Sequence, residues 1–156
     1  VISGYGDGSF GPNSYVSRAE FLKIVMEVIE IKPTEVPDDE LFFIDVENHW
    51  IYPYLKSARF ENIIQGYGDN TFRPDKEINR AEAVKILLEA LKVDLAVDTP
   101  AIYNDIDRDA WYMDYLNFAT AKGIVNGYGD GTFRPGSNMS RAEAVKIVYM
   151  IFGVDF

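Results

Sequence analysis

Three arginines stand in the same short setting along this 156-residue chain. Arg18, Arg80 and Arg141 each follow Ser or Asn and precede Ala-Glu, at intervals of 62 and 61 residues. A guanidinium offers planar, forked donors and stays charged, so it suits carboxylates and phosphates. Each arginine occupies the first position of an expected helix, where the helix dipole favours an acid and a base is mildly unfavourable. A cation written there three times needs a reason. Two readings are open. In one the guanidinium binds an anion, assisted by free N–H groups at the helix mouth. In the other it forms an ion pair with a neighbouring repeat, with Asp45 or Asp105 as the partner.

Other residues with chemical capacity recur in the same way. Trp50 and Trp111 can stack on a sugar face or serve as core residues near a helix start. Asp45 and Asp105 can pair with the arginines, accept bonds from hydroxyl groups, or cap local turns. Gly66 and Gly127, with Gly68 and Gly129, suit a tight bend and also let a ligand approach the backbone. His49 is the single histidine and there is no cysteine, which excludes thiolate zinc sites, multi-histidine sites, a disulfide framework and a cysteine nucleophile. The acidic turns fit calcium poorly, because Asp7-Gly8-Ser9-Phe10 and its copies follow one acid with an apolar residue. No acid pair is singled out for glycoside hydrolysis, and a repeated site suits binding better than a unique catalytic centre. No enzyme activity, metal or cofactor is therefore expected.

The elements that must position these residues are written as a repeat. The stretch Gly4–Glu20 returns as Gly66–Glu82 and Gly127–Glu143, and 16 of 28 positions agree between Gly66–Val93 and Gly127–Val154. A regular period of this kind marks a repeat architecture. Asp7-Gly8, Asp69-Asn70 and Asp130-Gly131 tolerate the positive φ of a tight turn, with Tyr and Phe on both sides to pin it by burial. Pro12, Pro74 and Pro135 stop a strand from continuing. Ser17, Asn79 and Ser140 then stand three residues before Glu20, Glu82 and Glu143, which is a capping box. Val16, Ile78 and Met139 precede the caps, placed to staple to Phe21, Ala83 and Ala144.

Apolar residues at helical spacing predict helices over about Arg18–Ile31, Arg80–Val93 and Arg141–Phe152, with Lys23, Lys85 and Lys146 facing water. Pro-containing acidic stretches, Lys32–Leu41 and Asp94–Ala101, read as surface connections. A second helix type follows, with Asn48 and Asp109 as expected N-caps and ends at Ile64 and Val125. Pro53 sits in or just after its first turn. Each complete repeat is thus helix, tight turn, helix, and one unit cannot bury both apolar faces alone.

Composition sets the outer bounds. Hydrophobic residues at 47% suffice for one core, so a single domain over residues 1–156 is expected. A net charge of −10 argues against nucleic acid or an anionic membrane surface as partner. No apolar run approaches ~20 residues, so no membrane insertion is expected. Val1-Ile2-Ser3-Gly4 aligns with Ile63–Gly66 and Ile124–Gly127, so the first copy begins in mid-repeat. With no signal peptide and no initiator methionine, the chain is expected to be a mature or excised fragment.

These motifs together resemble the S-layer homology domain family. The family pattern F-x-D-V and H-W matches Phe43–Val46 and His49-Trp50. The turn pattern matches Gly66–Pro74, and the closing motif matches Asn79–Glu82. The third copy carries Asn104-Asp105-Ile106, Trp111, Gly127–Phe133 and Ser140–Glu143, while the first carries only Gly4–Glu20. Gly11 stands where the other copies have Arg73 and Arg134. The resemblance implies an all-α, pseudo-threefold helical prism of helix–turn–helix repeats, with a partial repeat 1–32 and repeats 42–93 and 102–154. It further implies inter-repeat grooves that anchor a bacterial surface protein non-covalently to cell-wall polysaccharide, outside the cell at the wall or S-layer. The ligand would be a secondary polymer bearing anionic groups, or modified peptidoglycan. Ligand-binding residues are then Arg18, Arg80, Arg141, Trp50, Trp111, Asp45, Asp105, Gly66 and Gly127. The alternative is an assembly module whose grooves receive neighbouring surface-protein subunits in a lattice or filament.

Overall fold

The computed structural model describes residues 4, 6–33 and 43–154. Most of the 32–41 connection, the Val1–Ser3 equivalence and Tyr5 lie outside the described residues. The chain is all-α among those described, with α1 at Arg18–Val28, α2 at Tyr52–Phe60, α3 at Arg80–Leu91, α4 at Met113–Ala121 and α5 at Arg141–Met150. A 3-10 turn, Ile151–Gly153, follows α5.

The helices that follow the tight turns start as their sequence directs. The Ser17 side chain accepts from the Glu20 amide at 3.2 Å, and the Glu20 carboxylate accepts from the Ser17 amide at 2.8 Å. Asn79 with Glu82 and Ser140 with Glu143 repeat this reciprocal pair. The helices stop two or three residues earlier than their apolar pattern. In α1 the stop is Glu30 at φ 62°, after which the Ile31 amide donates to the Met26 carbonyl at 2.9 Å. In α3 it is Lys92 at φ 54°. These left-handed residues satisfy carbonyls that a longer helix would have used.

The second helix type starts differently from the expectation. Neither Asn48 nor Asp109 caps it. The N-cap residues are Ile51 and Tyr112, and neither has a side-chain cap bond. Asn48 instead turns the chain at φ 66°, and Asp107 organises the turn before α4 by accepting from the Asp109 and Ala110 amides. Pro53 lies at the start of α2, where a missing N–H costs least. Both helices also end short of Ile64 and Val125. Asn62 and Gly123 take φ 59° and 70°, and the Ile63 and Ile124 amides donate back to the Ala58 and Ala119 carbonyls at 2.8 Å.

The three copies close on one another through their backbones. The Val16 amide donates to the Met139 carbonyl at 3.1 Å, the Met139 amide to Ile78 at 2.9 Å, and the Ile78 amide to Val16 at 3.0 Å. This is a cycle: each copy gives one bond and takes one, and all three side chains are buried. The next two amides of each helix are also spoken for. Arg18 and Ala19 donate to the Lys76 and Pro74 carbonyls, Arg80 and Ala81 to Ser137 and Pro135, and Arg141 and Ala142 to Ser14 and Pro12. A helix mouth normally leaves four amides unpartnered. Here the loop of a neighbouring copy takes the first two and the capping side chain takes the third.

The core lies behind this cycle. α1 packs on α3 and α5, α2 packs on α1, and α4 packs on α3. Phe72 and Phe133 are fully buried under the tilted rings of Phe43 and Tyr103, at centroid distances of 5.7 and 5.4 Å. Phe10, their counterpart in the first copy, is 37% exposed, so burial pins two of the loops by the expected aromatic and the first less completely.

Candidate functional site

The tight loops are built from the aspartate outward. Asp69 accepts from the Thr71 amide and hydroxyl at 3.1 and 2.6 Å and holds Arg73 at 2.8 Å. Asp130, Thr132 and Arg134 reproduce the set. The Thr71 hydroxyl and the Arg73 guanidinium hold the Asp69 carboxyl down at about 2, and Thr132 and Arg134 do the same for Asp130. Arg73 and Arg134 both adopt φ 58°, and Gly11 in the first copy has the same value. The glycine there is thus a backbone match for a left-handed position, without the side chain that stacks on Tyr67 or Tyr128 at 4.1 Å.

Asp45 and Asp105 do not pair with the arginines at the helix starts. Both oxygens of Asp45 accept backbone amides, from Phe72 at 2.9 Å and Arg73 at 2.7 Å. Asp105 grips the Phe133 and Arg134 amides at 2.7 Å each. These carboxylates hold the loops, the turn-capping role. Gly66 and Gly127 are also explained locally. A Cβ on Gly127 would stand 2.6 Å from the Thr132 carbonyl oxygen and 2.4 Å from the Tyr103 ring, and one on Gly66 would be 2.1 Å from Phe43.

The arginines pair with the neighbouring copy, Arg18 and Arg80 through a glutamate. Arg18 donates by Nε to the Phe72 carbonyl at 2.9 Å and faces Glu82 at 3.4 Å. Arg80 donates by Nε to Phe133 at 2.9 Å, by Nη1 to Glu143 at 3.3 Å and by Nη2 to the Asn126 carbonyl at 3.1 Å. Arg141 donates by Nε to Phe10 at 3.0 Å. All three are buried and lie over aromatic rings, Arg18 between Tyr67 and Phe72 at 4.8 Å each. Burial pushes the Glu82 carboxyl up, yet the Tyr67 hydroxyl, Arg18, the Asn79 amide and Lys76 outweigh it and hold the group below its ordinary value. Glu143 stands the same way, with burial opposed by Ser140, Tyr128 and Arg80. The capping glutamate therefore serves two elements at once: its own helix start and the arginine of the preceding copy.

Between copies these contacts leave grooves. One cavity of about 320 Å³ is lined by Arg18 from the first copy, by Gln65, Gly66, Tyr67, Glu82 and Lys85 from the second, and by Trp111 from the third. A second, about 190 Å³, is lined by Arg80 with Asn126, Gly127, Tyr128, Glu143 and Lys146. Trp111 is 58% exposed and Trp50 51%, so neither is a core residue. Lys85 lies 5.7 Å from the Trp111 ring and Lys23 5.9 Å from the Trp50 ring. The structure thus gathers Arg18, Gly66 and Trp111 in one groove and Arg80 and Gly127 in another. By position in the repeat, Arg141, Lys23 and Trp50 correspond to Arg18, Lys85 and Trp111 and form a third set of equivalent residues. Sequence reasoning missed Lys85, Lys146, Tyr67 and Tyr128. The lysines had a signal: each stands five residues after its arginine in every copy.

Comparison with known proteins bears on this arrangement. A family model described as the S-layer homology domain matches residues 1–22, 43–84 and 102–145. The chain belongs to the S-layer homology domain family. It is 33% identical over 153 residues to a cellulosome-anchoring protein of Acetivibrio thermocellus, covering 94% of this chain and 34% of that protein. An uncharacterized cell wall amidase of Bacillus anthracis is 31% identical over 150 residues, with 95% of this chain and 28% of that protein covered. The S-layer protein sap of Bacillus anthracis is 28% identical over 150 residues, covering 95% and 18%. The chain thus spans about a third or less of the length of these relatives. No described helix of this S-layer homology domain is long and apolar enough to cross a membrane.

Proposed function

We propose that the inter-repeat grooves hold anionic cell-wall carbohydrate and thereby anchor a larger bacterial surface protein, outside the cell, at its wall or S-layer. The observation that carries this reading is the convergence of Arg18, Lys85 and exposed Trp111, from three different copies, on one cavity of about 320 Å³. That volume is at the lower end for small-molecule sites. An indole face suits the C–H face of a sugar, and Lys85 is the more accessible cation for an acidic substituent. Arg18 and Arg80, already engaged by carbonyls and glutamates, shape the groove and offer their remaining N–H donors to the same anion. Gly66 and Gly127 bring the backbone close to it, while Asp45 and Asp105 keep the loops in place. Arg141 and Trp50 act alike in the third set.

The cyclic closure of Val16, Ile78 and Met139 supports a pseudo-threefold prism formed by one domain over residues 1–156, with repeats at 1–32, 42–93 and 102–154. Several weak grooves on one body raise apparent affinity without new contacts. Relatives named as an amidase, an amylopullulanase and S-layer proteins share this same stretch, which supports an anchor rather than a catalyst. The cationic, tryptophan-walled lining favours a charged sugar over the alternative occupant, a neighbouring protein subunit.

The test is sedimentation with purified walls, before and after acid extraction of the secondary polymer. Binding that disappears on extraction is the expected result. Failure to sediment with intact walls would overturn the reading, and retained binding after extraction would move the ligand to peptidoglycan.

A further inference from the structure

The dipeptide Asn126-Gly127 occurs once in the chain, in the wall of the second groove and outside any helix or strand. An asparagine followed by glycine has an intramolecular reaction open to it. The glycine amide nitrogen, once deprotonated, attacks the side-chain amide carbon, and no Cβ on the following residue hinders the approach. Three features leave the pair free to react. Asn126 is exposed, and its side chain has no hydrogen-bond partner among the described residues. No described residue accepts from the Gly127 amide. Arg80 Nη2 donates to the Asn126 carbonyl oxygen at 3.1 Å. Loss of the Gly127 proton spreads negative charge onto that oxygen through the peptide bond, and the buried guanidinium stabilises it there.

Elsewhere the fold blocks the same chemistry. After Asn13, Asn48, Asn62, Asn70, Asn79 and Asn138, the next amide donates to another group. Asp7-Gly8 and Asp130-Gly131 could close the same ring, but only from a neutral acid. Thr132 and Arg134 hold the Asp130 carboxyl at about 2, and the Gly131 amide donates to the Tyr128 carbonyl at 3.0 Å. Bonds from Ser9 hold Asp7 below its ordinary value. The first groove differs by one methylene. Gln65 stands where the second groove has Asn126, would close a larger and slower ring, and accepts from Lys85 at 3.1 Å.

We propose that Asn126 is a site of spontaneous deamidation, which writes a carboxylate into the second groove and leaves the first unchanged. The Gly127 nitrogen bonds to Asn126 Cγ, and the side-chain nitrogen leaves as ammonia, carrying the equivalent of the Gly127 proton. Water then opens the succinimide at either carbonyl, giving aspartate or isoaspartate, with no oxidant or reductant consumed. Both products put a negative charge in the groove that Arg80 and Lys146 line. Isoaspartate also inserts a methylene into the main chain at the carbonyl that Arg80 holds. Substitution of Gly127 is no escape, because a Cβ there would meet the Tyr103 ring and the Thr132 carbonyl. The reaction is independent of what the groove binds, whereas its effect on binding rests on the proposed anchoring function.

The chain is incubated in mildly alkaline buffer, folded and in urea, then digested with trypsin. Mass spectrometry follows the peptide of residues 123–141, which stays whole because Pro135 blocks cleavage after Arg134. Conversion at Asn126 in the folded chain is expected at no less than about one tenth of its rate in urea. The other asparagines of the folded chain should stay intact, and Asn126→Gln should remove the acidic species. A lower folded rate would overturn the proposal. In titrations with purified wall polymer, Asn126→Asp should bind about two- to fivefold more weakly than Asn126→Gln. Equal affinities would overturn the effect on the groove. A parent chain that binds no polymer would instead overturn the anchoring reading, with the deamidation still standing on the mass spectra.

Discussion

At the scale of single residues, the arginines at the helix starts turn out to join neighbouring copies. Arg80 donates to two carbonyls and one carboxylate of the next copy while 8% exposed. Removing a buried, multiply bonded charge leaves its partners unsatisfied, so Arg80→Ala should cost about 2–4 kcal/mol. Arg80→Lys should recover less than half, because one ammonium cannot reach three diverging acceptors. Urea unfolding measures both. A loss below about 0.5 kcal/mol for the alanine variant would show that the buried pair is not holding the repeats together. Arginine substitutions are therefore poor tests of binding, since they alter the scaffold that forms the groove. The sequence marked the arginines correctly as unusual. Their partner was not legible, because Glu82 and Glu143 already had a complete explanation as capping residues.

At the scale of elements, identical patterns have different consequences. Leu88 on α3 and Tyr149 on α5 share a register, one 1% and the other 71% exposed. Leu88→Ala should cost about 2–5 kcal/mol and Tyr149→Ala under about 0.5. Equal costs would mean α5 is covered in solution. The loops offer a pH test. Asp69 and Asp130 are held near 2, below the ordinary 3.8, so their contribution is complete above 3.8 and is lost as pH falls toward 2. The Thr71 and Thr132 amide resonances should titrate with midpoints near 2; midpoints near 4 would mean the aspartate–threonine bonds are absent in solution. Helix starts, turns and repeat boundaries were legible because their signals lie within a few residues. The starts of α2 and α4 were not, because neither uses a side-chain cap and turns at Asn48 and Asp107 set them instead.

At the scale of the whole molecule, the copies are bound into a cycle through Val16, Ile78 and Met139, and every arginine-led helix has its first amides satisfied by another copy. No pattern within one repeat could reveal this, since the bonded partners belong to different copies, from Ala19 with Pro74 to Ala142 with Pro12. It displaced the expectation that free amides at the helix mouth would help bind an anion, and moved attention to Lys85 and Trp111. The cycle also means that each groove draws on more than one copy, so binding depends on the closed assembly. The account's central claim is that such a groove, walled by Trp111 and Lys85, takes the wall carbohydrate. The direct measurement is a calorimetric titration of purified wall polymer into the chain and into its Lys85→Ala and Trp111→Ala variants, each first shown to unfold like the parent. The account predicts at least about a tenfold loss of affinity for each variant, about 1.4 kcal/mol. Unchanged affinity in both variants would contradict it.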